Sequence, residues 1–260
     1  MNFEEFQKRL KQKENVLNVT ITDDTSKENI IYNVKNETSL WRAQTLFTKE
    51  PHTISWIRGF KKGSIFFDVG ANVGMYSIFS AVISKVKVFA FEPESNNFQI
   101  LMENIISNKL TDIIKPFPIA VGDKSALTTL YLSEFRIGKS HHMIDKELDH
   151  NLKETTYKIS QGVFKTSLDE LITKWKFPIP NYLKIDVDGV ESLIINNGRS
   201  LLKEKQLQSV SIEINRNREE DLEIISIFQK SNFNYDNSQV DKATRKTGKH
   251  QGYAEYIFYK

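Results

Sequence analysis

An acidic residue and two glycines follow a short apolar run in the segment Asp68–Gly74, D-V-G-A-N-V-G. The run Ile65–Phe67 predicts a buried parallel strand, and the residues after the segment predict a helix. Gly70 would allow a tight turn, and Gly74 would allow close packing and the approach of a ligand to the backbone. Free N–H groups at the helix start can bind a carboxylate, and Asp68 can bind an ammonium group. The amino-acid part of S-adenosylmethionine carries both groups.

A second acidic residue, Glu92, ends the next predicted strand in the sequence F-A-F-E-P. A carboxylate there can accept hydrogen bonds from both ribose hydroxyls, but NAD enzymes place an acid at the same point. The G-x-x-x-G spacing after Asp68 differs from the dinucleotide fingerprint G-x-G-x-x-G, and Asp68 would repel a pyrophosphate. These features favour S-adenosylmethionine over NAD.

Asp123 follows the third predicted strand, where we expect it to contact adenine. The predicted cofactor site therefore consists of Asp68, Gly70, Asn72, Gly74, Glu92 and Asp123.

Strands alternate with helices from Ser64 onward, which predicts the sheet that positions these residues. After Ile65–Phe67, further apolar runs are predicted as strands: Val88–Phe91, Ile113–Val121, Tyr182–Val187, Val210–Ile214, Phe233–Tyr235 and Tyr256–Tyr259. Two prolines place the third strand at an edge, and the last two strands, with no predicted helix between them, should pair antiparallel. The expected fold is α/β, a doubly wound Rossmann-like sheet that is mixed because its final strand is antiparallel.

The first 60 residues have a different pattern. Val16–Ile21 and Asn29–Val34 alternate apolar and polar residues and predict a β-hairpin, while Ser39–Phe47 and Pro51–Ile57 predict short helices. We therefore divide the chain into an N-terminal α+β extension, residues 1–60, and a main domain, residues 61–260.

Composition excludes several classes of protein. The 260 residues include no cysteine, which excludes a disulfide framework and a thiolate nucleophile, and the net charge of +3 does not favour nucleic acid. The N-terminus lacks the apolar stretch of a signal peptide, and no apolar run is long enough to span a bilayer. We expect a cytoplasmic protein with no nucleic-acid partner and no stable membrane insertion.

Four segments resemble the FkbM family of methyltransferases in their order and spacing. They are Asp68–Gly74, Phe91–Pro93, Glu103–Ile105 and Lys184–Glu191, K-I-D-V-D-G-V-E, within roughly residues 64–215. The resemblance implies the mixed seven-stranded methyltransferase sheet. It also implies O-methylation, often of sugar hydroxyls in glycans or natural products.

Methyl transfer requires an aligned acceptor oxygen and the removal of a proton from a weakly acidic hydroxyl. Asp186 ends the fourth predicted strand and is our leading candidate for the general base or for acceptor orientation. Lys184 should point to the same side, where it would hold an acceptor oxygen or pair with that carboxylate. Glu191 begins the next helix, where an acid also stabilises the helix end. Glu213 and Asn215 end the fifth strand and would complete the pocket.

The pair His141–His142 lies in the long loop between the third and fourth strands, a region that would form an acceptor lid. His142 is a candidate base, although such a pair is more often merely exposed. Asp186, Asp188 and Glu213 would suit a magnesium-like cation, but carboxylates at strand ends do not require one, and we predict no metal.

The sequence thus predicts an S-adenosylmethionine-dependent O-methyltransferase that acts on a sugar hydroxyl of a glycan or on a small hydroxylated acceptor. Two alternatives stay open: an NAD(P)-dependent oxidoreductase and a non-catalytic cofactor-binding module.

Overall fold

The computed structural model describes residues 17–140, 142–147, 154–187, 189–248 and 251–260. Three sequence-based expectations fall outside the described residues: the first 16 residues of the extension, His141 and Asp188.

In the described part of the N-terminal extension, the predicted hairpin comes first, formed by β1 (Leu17–Thr22) and β2 (Asn29–Val34), which pair antiparallel. Helices α1 (Glu37–Gln44) and α2 (Pro51–Arg58) follow. Proline suits the first position of α2 because its missing N–H has no partner within the helix there.

The first half of the main sheet alternates strands and helices in the order β3 (Ile65–Val69), α3 (Met75–Phe79), β4 (Lys87–Phe91), α4 (Ser95–Ser107) and β5 (Ile114–Phe117). Helix α3 continues into one turn of π-helix. Glu94 caps α4 by accepting hydrogen bonds from two backbone N–H groups of its first turn.

A second, four-stranded sheet follows β5. It contains β6 (Ala120–Val121), β7 (Ala126–Leu132), β8 (Met143–Ile144) and β9 (Ile159–Thr166) in the order β6-β9-β7-β8. The single strand expected over residues 113–121 is therefore wrong. It is broken around Pro118, whose nitrogen cannot donate to a sheet, and its two parts belong to different sheets.

Helix α5 (Leu168–Thr173) begins with a capping box between Ser167 and Glu170 and leads to β10 (Tyr182–Ile185). The helix that Glu191 was expected to begin is α6 (Glu191–Asn196), and a separate helix, α7 (Arg199–Lys203), follows it. Gly198 lies between them.

The chain ends with β11 (Ser209–Asn215), α8 (Glu219–Lys230), β12 (Asn234–Tyr235), α9 (Asn237–Ala243) and β13 (Tyr253–Tyr259). The antiparallel pairing of β12 with β13 is confirmed. The expectation that no helix separates them is wrong, because Asp236 caps α9 by accepting a hydrogen bond from the backbone of Ser238.

The main sheet has seven strands in the order β12-β13-β11-β10-β3-β4-β5. Strands β11, β10, β3, β4 and β5 are parallel, and β13 is antiparallel to β11, so the predicted mixed sheet and the edge position of β5 are confirmed. Alternate side chains of β3 enter different cores, Phe66 on one face and Phe67 on the other. Trp56 and Ile57 of α2 pack in the same cluster as Phe66, so the extension shares one core with the sheet. Within the described ranges, no helix combines the length and apolarity needed to cross a membrane.

Candidate functional site

A cavity of about 400 Å³ lies at the carboxyl ends of β3, β4, β10 and β11. Its wall includes Gly70 after β3, Glu92 after β4, Asp186 after β10 and Glu213 in β11. Ligands of doubly wound sheets bind beyond these strand ends, and the volume suits a small molecule.

Both glycines of the first loop have the conformations expected of them. Gly70 has a φ of +82°, and a Cβ atom there would lie 2.0 Å from the carbonyl oxygen of Asp186. Gly74 has a φ of +84°, and a Cβ atom there would lie 2.5 Å from Cδ1 of Leu101 in α4. Glycine is required because the backbone is left-handed and closely packed at both positions.

The backbone N–H groups of the loop already have partners from Gly70 to Gly74. Those of Gly70 and Ala71 donate to the carbonyl oxygen of Phe91, both at 3.0 Å, and that of Asn72 donates to Glu92 at 2.7 Å. The remaining two donate within the loop. A bound carboxylate would therefore need donors outside residues 70–74.

Asp68 lies beneath the loop rather than on the cavity wall. Its carboxylate accepts a hydrogen bond of 2.5 Å from Oγ of Ser77 in α3. Burial raises the pKa of Asp68, although the ammonium group of Lys184 on the neighbouring strand opposes this rise. In this structure Asp68 fixes the start of α3.

Glu92 lies on the cavity wall and is held by the backbone. Its two carboxylate oxygens accept hydrogen bonds from the N–H groups of Asn72, at 2.7 Å, and Glu94, at 2.8 Å. Burial raises the pKa of Glu92 to about 7, although these two N–H groups favour its charged form. The lone pairs that remain on both oxygens can accept further hydrogen bonds.

Residues 137–139, which we call the strap, lie over the first loop and are held by four side chains. Asn36 donates to the strap backbone at 3.0 Å and Arg42 donates at 2.7 Å. Asn72 donates at 2.8 Å, and Asn97 both donates at 3.0 Å and accepts at 2.7 Å. The strap therefore joins the N-terminal extension to the first loop. The sequence does not predict this contact, because single asparagines occur in many loops and helices without such a role.

Lys184 and Asp186 are brought together as an ion pair, with 2.7 Å between Nζ and Oδ2. Burial opposes the charged form of Asp186, but the Lys184 ammonium group holds the pKa of that carboxyl well below its usual range. Lys184 is itself buried, and the carboxylates of Asp186 and Glu50 raise its pKa despite burial. Asp186 in this state is a weak base.

The other predicted site residues have different positions. His142 lies on the cavity wall, where Nδ1 accepts a hydrogen bond of 3.3 Å from the backbone of Ser133. Glu191 is buried and accepts hydrogen bonds from the turn after β10, including one of 3.0 Å from Gly189. Asp123 forms an ion pair of 2.7 Å with Lys165, and this placement does not bring it to the cavity wall.

A second cavity of about 140 Å³ adjoins the first and shares Lys49, Asp186, Glu213 and Arg245 with it. Its other lining residues include Glu50, Lys184 and Glu255. Glu50, Arg245 and Glu255 were not predicted as site residues. Glu50 is distant in sequence from the other two, and Arg245 lies in a basic run, K-A-T-R-K, that is typical of a solvated loop.

Glu213 contacts Arg245, with 2.8 Å between Oε1 and Nη2. Burial and the nearby carboxylate of Asp186 raise the pKa of Glu213 well above its usual value, although Arg245 opposes this rise. Glu255, on the adjacent strand, accepts hydrogen bonds from Thr53 and Ser211, and burial raises its pKa to about 7. Among the described residues, no group of three or more His, Asp or Glu is arranged to hold a metal ion.

Comparisons with known proteins agree on the class of enzyme. Residues 68–235 match the family model of the methyltransferase FkbM domain. The hexuronic acid methyltransferase AglP of Haloferax volcanii is 23% identical over 181 residues, which cover 70% of this chain and 69% of that protein.

Two solved structures are similar at low identity. One is a putative rRNA methylase from Clostridium thermocellum, with a TM-score of 0.49 and 10% identity, covering 81% of this chain and 94% of that one. The other is a precorrin-6y C5,15-methyltransferase from Geobacter metallireducens, with a TM-score of 0.44 and 11% identity, covering 81% and 86%.

Proposed function

The chain belongs to the FkbM family of methyltransferases, and we propose that it transfers a methyl group from S-adenosylmethionine to an oxygen atom of a sugar. The observation that carries this proposal is the position of Glu92. Its buried carboxylate is fixed by two backbone N–H groups on the wall of a cavity of about 400 Å³.

The residues of the cavity fit the ribose and the adenine of this cofactor. Glu92 would accept hydrogen bonds from the ribose hydroxyls, and an apolar part of the wall would hold adenine, formed by Ile119, Val121, Leu130 and Ile144. Gly70, Asn72 and Gly74 would shape the loop, and Asp68 would act indirectly by fixing α3 through Ser77. S-adenosylmethionine supplies a methyl group on a positively charged sulfur, which leaves as a neutral thioether.

The acceptor would enter beside Asp186, on the side of the cavity that adjoins the second cavity. Hydroxyl groups of a sugar can bind to the carboxylates and cations there, which include Lys49, Lys184 and Arg245. The similarity to a hexuronic acid methyltransferase supports a sugar acceptor, and the cations would suit one that carries a carboxylate.

Two measurements test this function. Calorimetry should detect binding of S-adenosylmethionine and its demethylated product but not of NAD, which separates the methyltransferase from an oxidoreductase. A labelled methyl group should then be transferred to hexoses, hexuronic acids or glycans that contain them. If neither S-adenosylmethionine nor its demethylated product gave a heat of binding, the cofactor assignment would be contradicted. Binding without transfer to any of these acceptors would leave a non-catalytic module or another acceptor class.

In the cell, glycans should differ by one methyl group when the gene is deleted, as measured by mass spectrometry. Glu92→Gln should fail to restore that methyl group at low cofactor supply. The exposed Glu219→Gln serves as the matched control and should restore it.

A further inference from the structure

Asp186 and Glu213 are the carboxylates among the described residues that line both the second cavity and the acceptor side of the first, and their surroundings differ. Asp186 has a buried ammonium group 2.7 Å away. Glu213 has instead the guanidinium group of Arg245, which is 37% exposed and therefore partly screened by solvent.

A carboxylate that is fully paired with a buried cation attracts a proton weakly. The side chain of Lys184 is only 3% exposed and its ammonium group also contacts Glu50, at 4.0 Å. Its positive charge therefore cannot be dispersed by water, and Asp186 stays ionised and weakly basic. Asp186 is suited to orient a hydroxyl group but not to remove its proton.

Glu213 has the opposite environment. Its side chain is 18% exposed, it lines both cavities, and other carboxylates surround it. The titratable and charged groups on the elements packed around it are Asp186, Lys184, Glu191, Glu50, Lys49, His52, Lys242, Arg245, Tyr253 and Glu255. Burial and the carboxylates of Asp186, Glu191 and Glu50 raise the proton affinity of Glu213, and Arg245 lowers it.

We propose that Glu213 is the general base of the transfer, and that Asp186 and Lys184 position the acceptor. This inference rests on the proposed function with a hydroxyl group as the acceptor. The hydroxyl oxygen forms its bond to the methyl carbon while the carbon–sulfur bond breaks, and the bonding electrons remain on sulfur. The hydroxyl proton goes to the Glu213 carboxylate and leaves from there to solvent.

The pH dependence of kcat/KM for the acceptor, at saturating S-adenosylmethionine, tests this assignment. A base must be deprotonated, so the rate should rise with pH through the raised pKa of Glu213 and then level off. Glu213→Gln should lower kcat by about 10²-fold or more and remove this rise, because the amide cannot take a proton. Its affinity for S-adenosylmethionine and its melting temperature should stay near those of the wild type, which shows that the variant is folded. The exposed Glu223→Gln is the matched control.

The Asp186→Asn variant distinguishes the role of Asp186 from that of Glu213. Removal of its negative charge should lower the pKa of Glu213, so the rise should move to lower pH while remaining visible. If Asp186 were the base, the rise would disappear in Asp186→Asn and persist in Glu213→Gln, which would overturn the assignment.

The nature of the acceptor atom provides a further test. Transfer to a sugar carboxylate needs no base, so wild-type turnover of Glu213→Gln on a hexuronic acid with a methyl ester as product would overturn the inference. The methyltransferase function would survive that result. Failure of the wild-type chain to bind S-adenosylmethionine would instead contradict the function itself.

Discussion

The two sides of the cavity hold their polar groups by different means. On the proposed cofactor side, Glu92 is fixed by backbone N–H groups of Asn72 and Glu94, with no cation at hydrogen-bond distance among its described contacts. On the proposed acceptor side, Lys184 and Asp186 are held by ion pairing with each other, and Glu50 lies 4.0 Å from Lys184. The position of Glu92 therefore depends on the path of the backbone, whereas the ion pair of Lys184 and Asp186 depends on both groups being charged. Substitutions and pH should therefore affect the two sides differently.

The largest effect is expected from Lys184→Met. Loss of the ammonium group would leave the half-buried carboxylates of Asp186 and Glu50 without their shared cation. We expect the free energy of unfolding to fall by about 3–5 kcal/mol at pH 8, as measured by chemical denaturation. The loss should be smaller at pH 5, because the carboxylates can then take up protons. Lys205→Met, at an exposed position, is the control, and an equal loss in both variants would contradict a special role for Lys184.

Gly70→Ala should impair both sides of the cavity at once. Its Cβ atom would lie 2.0 Å from the carbonyl oxygen of Asp186, so one added methyl group in the loop after β3 would displace the end of β10. This displacement and the strain of a φ of +82° should lower the free energy of unfolding by about 3 kcal/mol. They should also weaken the binding of both the cofactor and the acceptor.

The control is Gly162→Ala, where a Cβ atom meets nothing within 4 Å. A Gly70→Ala protein with wild-type stability would show that the loop can move away from β10.

Glu92→Ala should affect the cofactor side alone. We expect the affinity for S-adenosylmethionine to fall by about 1–3 kcal/mol, the usual loss for hydrogen bonds to a charged group. Calorimetry measures this change, and the acceptor KM at saturating cofactor should stay constant. An unchanged dissociation constant would mean that the ribose binds elsewhere.

The smallest effect concerns pH. The pKa of Glu92 is raised to about 7, and ribose hydroxyls donate best to its charged form. Cofactor affinity should therefore rise about tenfold between roughly pH 6 and pH 8 and then level off. Glu92→Gln, which cannot titrate, should show a flat profile. A similar slope in both proteins would assign the titration to another group.

The sheet was largely predictable from sequence because short apolar runs and the connection rules of α/β folds are local signals. The capping box of Ser167 and Glu170, the edge position of β5 and the antiparallel final strand all follow from such signals. The sequence predicts a hairpin and loop from Ala126 to about Phe164, which agrees with the antiparallel pairing of β7 with β9. It does not predict that β6 and β8 join them in a second sheet, because that pairing depends on contacts between distant segments. The break around Pro118 shows that an apolar run does not reveal which sheet it joins.

The candidate site was predictable only in part. Glu92 lies on the cavity wall, as its position at a strand end indicated. Asp123 also follows a strand and Glu191 begins a helix, but Asp123 pairs with Lys165 and Glu191 binds the backbone of Gly189. Position at a strand end does not determine the direction of a side chain. The buried hydrogen bond between Thr53 and Glu255 joins residues 202 positions apart, and no local pattern predicts such a contact.

The last strand of the chain, β13, lies in the interior of the sheet, between β11 and β12. The segment that matches the family model, residues 68–235, contains β12 but neither β13 nor the helix α2 that packs against β3. A protein cut to that segment would leave β12 without a neighbour and would turn β11, whose residues are almost all buried, into an open edge. Such fragments should associate through that edge and precipitate, so the unit that folds cooperatively is longer at both ends than the unit that sequence similarity delimits.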